Sequence, residues 1–287
     1  MAGYCQSASG SKAVIQKYKM QNSNQLCHVL FIPHGGGPLP LLGDESHLTL
    51  VSFLKEITPT LALPSSILII SAHWEEEIVT ITSGERPSLI YDYYGFPDEA
   101  YKLEYPAPGN PVLAKRIFSL LQASGIETQL DEQRGFDHGM FVPLKIMFPE
   151  AEIPCVQLSL LKNLNPEYHF KLGKALSKLR NENTLIIGSG FTFHNMQAIM
   201  SQNSDIDFKN EEFEQWLIDT CTNPNYSPSI RERKLIEWNE APFARYCHPR
   251  EEHLLPLHVC AGVTGFTAKL VFEGKVAGKK TSAYLWN

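Results

Sequence analysis

Short runs of apolar residues recur along the chain and predict buried β-strands. Three of them, at 28–32, 66–70 and 184–187, consist mainly of valine, isoleucine, leucine and phenylalanine. Runs with so little polar alternation are typical of strands that are covered on both faces, as in parallel sheets. Four further segments predict strands, the last two of them as a late hairpin: 78–82, 155–158, 270–272 and 282–285.

Longer segments with apolar residues at helical spacing lie between these runs. They predict helices at 45–58, 110–124, 140–148, 166–181, 208–222 and 252–263. In the second of these, Pro111 near the start and Gly125 just past the end are typical helix-terminal residues. The alternation of strands and helices predicts an α/β fold, with a central, mostly parallel or mixed sheet flanked by helices.

The domain organisation follows from length and composition. No change of composition marks a boundary, and 287 residues are enough for one large core. We therefore predict a single α/β domain over residues 26–287, preceded by a polar, flexible leader at 1–25. The stretch 84–109 holds six tyrosine or phenylalanine residues and four prolines with little periodicity, which predicts a long loop.

Charge and cysteine usage narrow the possible partners and location. The formal net charge is −6 without an extended lysine or arginine run, which disfavours nucleic acid and membrane surfaces as partners. No segment approaches the ~20 apolar residues of a membrane span, and residues 1–25 lack a signal-peptide core. We therefore expect a cytoplasmic protein. The six cysteines are widely spaced without a CxxC pair, so free thiols are expected.

Each of the three most apolar runs leads, in the loop expected just beyond it, into a histidine among small residues. These histidines are His34, His73 and His194. Ligands in open α/β sheets bind beyond the carboxyl ends of the strands. If the three strands are parallel neighbours, the three histidines converge on one crevice.

Two more histidines stand at predicted helix starts. His138 precedes the helix at 140–148, and His253 opens the helix at 252–263. The helix dipole disfavours a charged imidazole at this end, and neutral imidazole is the form that binds a metal ion or acts as a base. Five histidines at element boundaries therefore predict one metal site.

Other chemistries have weaker support. Gly35-Gly36-Gly37 lacks the spacing and the following lysine of a phosphate loop. Gly188-Ser189-Gly190 lacks the residues that separate serine from the glycines in a nucleophile elbow. No HExxH motif supplies the glutamate base of a zinc hydrolase. Four of the remaining histidines are expected at the surface or in the core: His28, His47, His169 and His248. His258 is expected either to have a structural role or to contact a metal ligand.

Five short motifs stand in a fixed order along residues 28–287. They are Pro33-His34-Gly35-Gly36-Gly37-Pro38, Ser71-Ala72-His73-Trp74, Asp137-His138-Gly139, Gly188-Ser189-Gly190 through His194-Asn195, and Glu252-His253-Leu254-Leu255-Pro256-Leu257. Together they resemble the class III extradiol ring-cleavage dioxygenases of the LigB type. Within that class they are most similar to the 4,5-DOPA dioxygenase-like branch.

The resemblance implies a catalytic α/β domain, one Fe(II) ion, and a catechol substrate that O2 cleaves beside its hydroxyls. His34 and His73 match two histidine ligands of that family. The third ligand of the wider class is a glutamate, whereas His253 stands at that position here, as in the DOPA-type branch. An all-histidine set also suits zinc, so zinc is a second candidate for the purified protein.

The resemblance also implies roles for the other two histidines. His194 matches the active-site base, and it is expected either as that base or as a fourth metal ligand. His138 matches a second active-site histidine near the substrate. The aromatic loop is expected either to close over the substrate ring or to pack as an ordinary loop: Tyr91, Tyr93, Tyr94 and Phe96.

A competing hypothesis is a non-catalytic, metal-binding or signalling relative of the same fold. Such a protein would use the same histidines for copper or zinc. The identity of the catechol, the bond that is cleaved and the oligomeric state stay open at this point.

Overall fold

Eight β-strands form the central sheet of the residues that the computed structural model describes, which are 26–201 and 207–287. They are β1 (Val29–Pro33), β2 (Ser66–Glu76), β3 (Val79–Thr82), β4 (Thr128–Asp131), β5 (Cys155–Leu161), β6 (Thr184–Gly190), β7 (Lys269–Val276) and β8 (Lys279–Trp286). The leader predicted at 1–25 lies outside the described residues. All strands except β4 were predicted from the sequence.

The sheet is mixed, as predicted, and its strand order is β4-β3-β5-β2-β6-β1-β8-β7. The four middle strands, β5, β2, β6 and β1, run parallel. The flanking strands reverse direction, because β8 pairs antiparallel with β1 and β3 pairs antiparallel with β5. Every residue of β1, β5 and β6 is buried, on both faces of the sheet, which explains their apolar sequences.

Helices surround the sheet. Nine α-helices lie among the described residues: α1 (Leu48–Ile57), α2 (Pro111–Ala123), α3 (His138–Met147), α4 (Pro166–Leu176), α5 (Met196–Met200), α6 (Phe208–Thr222), α7 (Pro228–Ile236), α8 (Ala244–Cys247) and α9 (Leu255–Thr264). Short 3-10 segments occur at Glu45–His47, Thr58–Thr60, Asp98–Lys102, Ser177–Glu182 and Trp238–Glu240. Across the described ranges, we find no helix with the length and apolar character that crossing a membrane requires.

Capping residues determine where several helices begin. The Asn110 side chain accepts a hydrogen bond from the backbone N–H of Leu113 at 3.0 Å. Pro111 stands in the first turn, where a missing backbone N–H removes no helical hydrogen bond. Asp207 caps α6 in the same way, and α6 has the predicted bounds.

Helix α9 is buried along its length, and the turn that precedes it packs against the end of strand β6. Each residue from Leu255 to Val263 is buried. Glycine allows the backbone of strand β6 to approach this region closely, since a Cβ on Gly190 would lie 2.1 Å from the carbonyl oxygen of His253. The backbone N–H of Phe191 donates to the same oxygen at 2.9 Å. The end of β6 therefore holds His253 in place.

The prediction that His73 lies in a loop beyond its strand is wrong. Strand β2 continues to Glu76, well past the predicted end at residue 70. The strand passes through a register shift between Ile70 and Glu75 and then pairs again with β5. His73 lies within this irregular stretch, where a strand can re-aim a side chain.

Two predicted helix starts also need correction. Helix α3 begins at His138, two residues earlier than predicted, so this histidine is part of the first turn. Helix α9 begins at Leu255, so His253 precedes the helix instead of opening it. Pro256 stands in the first turn of α9, a position that proline favours. Helices α5, α7 and α8 were not predicted, because they are short.

Candidate metal centre

Three neighbouring strands bring histidines to one edge of the sheet. Strands β1, β6 and β2 are adjacent and parallel, so their carboxyl ends lie together. His34 directly follows β1, His73 lies near the end of β2, and His194 follows β6. The convergence expected from the strand ends is therefore present.

Three imidazoles meet at this edge through their Nε2 atoms. The Nε2 atom of His73 lies 3.0 Å from that of His34 and 3.3 Å from that of His253. We call these three residues the histidine trio. His34 and His253 are buried, whereas the His73 side chain is 22% exposed. The trio is thus enclosed but accessible from the side of His73.

The hydrogen bonds of Ser189 determine which nitrogen of His34 carries the proton. The Ser189 hydroxyl donates to the carbonyl oxygen of Gly139. Its oxygen lies 3.1 Å from Nδ1 of His34 and is left to accept a hydrogen bond there. The proton of His34 is therefore on Nδ1, and its Nε2 atom presents a lone pair to the trio.

Carboxylates determine the tautomers of the other two members of the trio. Nδ1 of His253 lies 2.9 Å from Oε1 of Glu252. Nδ1 of His73 lies 3.5 Å from Oδ2 of Asp92. Since a carboxylate only accepts, Nδ1 of His253 carries the proton, and the nearby charge of Asp92 favours the same tautomer of His73.

In these tautomers the three Nε2 lone pairs face one another without a proton between them. Such an arrangement is repulsive in a buried site unless a cation lies between the nitrogens. Histidine ligands that donate the second ring N–H to a carboxylate or hydroxyl are the usual pattern at metal sites. The donor set of the trio thus fits a transition-metal ion.

The titration behaviour of the trio agrees with this arrangement. Burial lowers the pKa of His34, His73 and His253 well below the ordinary imidazole value, and neighbouring histidines lower it further. The three side chains are therefore neutral at neutral pH. Neutral imidazole is the form that ligates metals.

His194 lies beside the trio and not within it. Its Nδ1 atom is 2.9 Å from Oε1 of Glu252, and its ring stacks on His253 with centroids 3.4 Å apart. It forms a cluster with Glu252 and His253 in which the candidate ligand atoms lie within 4.8 Å of one another. The His194 side chain is 25% exposed, so the ring is accessible to a bound molecule.

His138 packs against His73. The two ring centroids are 3.9 Å apart. Asp92 Oδ1 accepts from the His138 backbone N–H at 3.0 Å and lies 2.8 Å from its Nδ1 atom. His138 is therefore held in a fixed orientation at the start of α3.

Glu252 and Asp92 are both ionised. Burial raises the pKa of Glu252, but the hydrogen bond and charge of His194 lower it, and the result lies below the ordinary value. Burial also raises the pKa of Asp92, and the hydrogen bond and charge of His138 likewise bring it below the ordinary value. Each carboxylate thus places a negative charge next to one trio member and one further histidine.

Four residues of the site received no role from the sequence: Asp92, Ser189, Glu252 and His47. The position of Glu252 directly before His253 is a signal from which the sequence could have identified it. Asp92 lies in an aperiodic loop, and nothing in its local sequence marks it. His47 was assigned to the surface or the core, but its Nε2 atom accepts from the backbone N–H of Gly36 at 3.0 Å. It therefore shapes the glycine loop that follows His34.

The aromatic loop packs largely on itself. The hydroxyls of Tyr91 and Tyr93 donate to the carbonyl oxygens of Leu103 and Ala100, each at 2.6 Å. Tyr93 also lies against His138, with ring centroids 5.7 Å apart, whereas Tyr94 is exposed. Ordinary loop packing thus explains the positions of Tyr91 and Tyr93. The loop also contributes Asp92 to the site.

The remaining predictions for histidine and cysteine agree with a structural role. Buried histidines with backbone partners are not members of the trio: His169, His248 and His258. His28 is also buried. The cysteines among the described residues are free and buried: Cys27, Cys155, Cys221, Cys247 and Cys260. Cys5 lies outside the described residues.

The chain is similar to proteins of a known family. Residues 29–284 match the family described as the catalytic LigB subunit of aromatic ring-opening dioxygenase. The chain is 37% identical to dioxygenase tasH of Hapsidospora irregularis, covering 91% of this chain and 86% of that protein. It is 38% identical to 4,5-DOPA dioxygenase extradiol of Portulaca grandiflora, covering 83% and 87%. A protein of the same name from Escherichia coli K12 is 33% identical, covering 79% and 82%.

A solved structure supports the same assignment. The crystal structure of an uncharacterized protein from Escherichia coli K12 is similar with a TM-score of 0.74 and 27% identity, covering 91% of this chain and 100% of that chain. The family match covers nearly the whole described chain, and the curated relatives above are named as dioxygenases. The chain therefore belongs to the LigB family of aromatic ring-opening dioxygenases and is an extradiol ring-cleaving dioxygenase of the 4,5-DOPA dioxygenase-like branch.

Proposed function

We propose that this enzyme opens a catechol ring with O2 and depends on one Fe(II) ion held by His34, His73 and His253. The observation that carries this proposal is the convergence of three histidine Nε2 atoms, with contacts of 3.0 and 3.3 Å to His73. A ferrous ion in that position would supply the electron transfer that lets O2 react with a closed-shell ring, and its charge would acidify the catechol hydroxyls.

The third ligand in this proposal is His253, and Glu252 is not a ligand. Oε1 of Glu252 already faces the Nδ1 atoms of two histidines, each at 2.9 Å. A set of three imidazoles departs from the two histidines and one carboxylate that are usual for non-haem iron oxygenases. The same set favours zinc during purification, because Zn2+ binds nitrogen ligands more tightly than Fe2+.

His194 is the proposed general base. Its Nδ1–H is engaged by Glu252, so Nε2 has the lone pair that accepts a proton. The side chain is partly exposed beside the trio, where a catechol hydroxyl can reach it. A neutral imidazole with a free ring nitrogen is a suitable general base.

His138 is the proposed partner for an oxygen atom of the substrate or of O2. It is buried and packs on His73, with ring centroids 3.9 Å apart. Oδ1 of Asp92, 2.8 Å from Nδ1, fixes the orientation of the ring. The imidazole would then exchange a hydrogen bond or a proton with that oxygen atom during ring opening.

The names of the relatives support a catechol as the substrate. Proteins of Portulaca grandiflora and Escherichia coli are named for the extradiol cleavage of DOPA. We extend only the catechol class to this chain. The identity of the catechol and the position of the cleaved bond are left to the experiment below.

The proposal is tested by reconstitution without oxygen. Metal-free protein is loaded with Fe(II) under nitrogen and then mixed with air-saturated buffer and a panel of catechols that includes DOPA. We expect oxygen uptake together with the visible absorbance of a ring-opened semialdehyde. Metal-free and zinc-loaded protein serve as controls and should consume no oxygen. Lack of uptake by the iron-loaded protein with every catechol would overturn the proposal.

A further inference from the structure

A single carboxylate oxygen serves two histidines of different proposed roles. Oε1 of Glu252 lies 2.9 Å from Nδ1 of His253 and 2.9 Å from Nδ1 of His194. The two rings stack at an interplanar angle of 19°, which allows both Nδ1 atoms to approach the same oxygen. Both ring protons are therefore held on Nδ1 by one acceptor.

The second oxygen of Glu252 lies near Arg250. Oε2 is buried and has no hydrogen bond to the described residues, and it lies 3.4 Å from Nη1 of Arg250. The same Arg250 nitrogen donates to Glu75 on β2 at 2.6 Å. Strand β2, which carries His73, and the turn before α9 are thus joined through Arg250.

We infer that Glu252 is a positioning residue that fixes the tautomers of both His253 and His194. The inference rests on the proposed function for the roles of those two histidines. A neutral imidazole without such an acceptor distributes its proton between Nδ1 and Nε2. A proton on Nε2 of His253 would block the lone pair that faces the trio. A proton on Nε2 of His194 would block the lone pair that acts as the base.

The first test uses Zn(II) and needs no turnover. Glu252→Ala is compared with Glu251→Ala, whose wild-type carboxylate pairs with Arg245 at 2.6 Å. We expect Glu252→Ala to weaken Zn(II) affinity about 10–100-fold in a chelator competition, a typical loss for such hydrogen-bond partners of metal ligands. Nitrogen-15 NMR of the zinc-loaded proteins should show His194 as the Nδ1–H tautomer in wild type and a shift towards Nε2–H in Glu252→Ala. Glu251→Ala should match wild type in both measurements.

The second test separates action on the base from action on the ligand. At saturating Fe(II), Glu252→Ala should still lose about 10–100-fold in kcat with little change in KM. Glu252→Gln retains an acceptor oxygen and should recover part of the loss in both affinity and kcat. This variant also provides the measurement if Glu252→Ala does not fold.

Three results are opposed to the inference. One is unchanged Zn(II) affinity and unchanged His194 tautomer in the Glu252 variants. Another is a loss of affinity with full kcat at saturating Fe(II), since Glu252 would then act on His253 alone. A third is equal losses in Glu251→Ala. Failure of the wild type to cleave any catechol would instead contradict the proposed function, and the Zn(II) and NMR measurements would still decide the role of Glu252.

Discussion

His194 and His253 lie in a parallel stack, with ring centroids 3.4 Å apart and an interplanar angle of 19°. Although they share one carboxylate, their free nitrogens have different surroundings. Nε2 of His253 lies 3.3 Å from Nε2 of His73 inside the trio. The His194 side chain is the more exposed of the stacked pair, at 25% against 6%. The stack therefore separates a candidate ligand from a candidate base.

His194→Ala should keep most of the bound metal and lose catechol turnover. The trio remains intact in this variant, whereas removal of a general base typically lowers the rate by ~10^2–10^4-fold. His73→Ala should lose the metal together with the activity, because its Nε2 atom is the one that lies close to both other trio members. Metal analysis and steady-state rates of both purified variants provide the measurement.

Two outcomes would contradict the role of general base that we propose for His194. Metal loss as complete as in His73→Ala would make His194 a fourth ligand and leave the base role to His138 or a bound water. Retention of both metal and full activity would contradict the proposed proton abstraction at Nε2 of His194.

Protein purified in air should contain zinc or lack iron, and it should gain activity only after loading with Fe(II) under reducing conditions. The reason is that Zn2+ outcompetes Fe2+ at nitrogen ligands but cannot change its oxidation state. Elemental analysis before and after loading, with oxygen uptake on the same samples, measures this. Equal ring cleavage by the zinc form would exclude the redox role of the metal.

Ser189→Ala should weaken metal binding about 10–100-fold yet retain ring cleavage once the metal is saturating. The hydroxyl accepts from Nδ1 of His34 at 3.1 Å and therefore helps to orient a proposed ligand. Titration of Fe(II) against activity would separate affinity from turnover. Complete loss of turnover at saturating metal would indicate that Ser189 reacts directly, as the Gly-Ser-Gly sequence could otherwise suggest.

The sequence predicted the edge of the sheet that carries the site, because β1, β2 and β6 contain recognisable apolar runs. His34, His73 and His194 each follow one of these runs. It could not predict that β2 continues through His73. That continuation depends on renewed pairing with β5 after a register shift, which is a tertiary interaction. The predicted strands were correct where burial on both faces suppresses polar residues, as in β1 and β6.

The residues that orient the histidines were harder to predict. Asp92 lies in a loop without periodicity, and its sequence neighbours do not distinguish it from Asp98 in the same loop. Only the fold brings its carboxylate to 2.8 Å from Nδ1 of His138. Glu252 is adjacent to His253, but its second contact depends on the stack with His194, which the sequence does not encode locally.

Asp92→Asn should lower kcat about 10–100-fold and affect metal affinity less. Its carboxylate lies close to His138, at 2.8 Å, and farther from His73, at 3.5 Å. The substitution therefore weakens the contact that orients His138 more than it disturbs a ligand. Asp98→Asn, in the same loop, provides the control and should behave as wild type. A larger loss of metal affinity than of kcat in Asp92→Asn would assign Asp92 to His73 instead.

Buried groups away from the trio make the stability of the metal-free protein depend on pH. Burial lowers the pKa of His169 to about 4 and that of His248 to about 3, from an ordinary value of 6.5. Below pH 6.5 these two histidines bind protons in the unfolded chain but stay neutral in the folded protein. The free energy of unfolding therefore falls as the pH decreases, by up to ~1.4 kcal/mol per pH unit for each histidine.

Glu214 has the opposite effect on the pH dependence of the free energy of unfolding. Burial raises its pKa to about 7, from an ordinary value of 4.5. Between these values the folded protein binds a proton that the unfolded chain does not, so Glu214 stabilises the fold as the pH falls. Glu214→Gln cannot bind that proton. Urea unfolding of both metal-free proteins at pH 7 and pH 5 should show the variant losing about 1–2 kcal/mol more than wild type over this interval. Parallel pH dependences in the two proteins would mean that Glu214 is already ionised in the fold at neutral pH and stays so at pH 5.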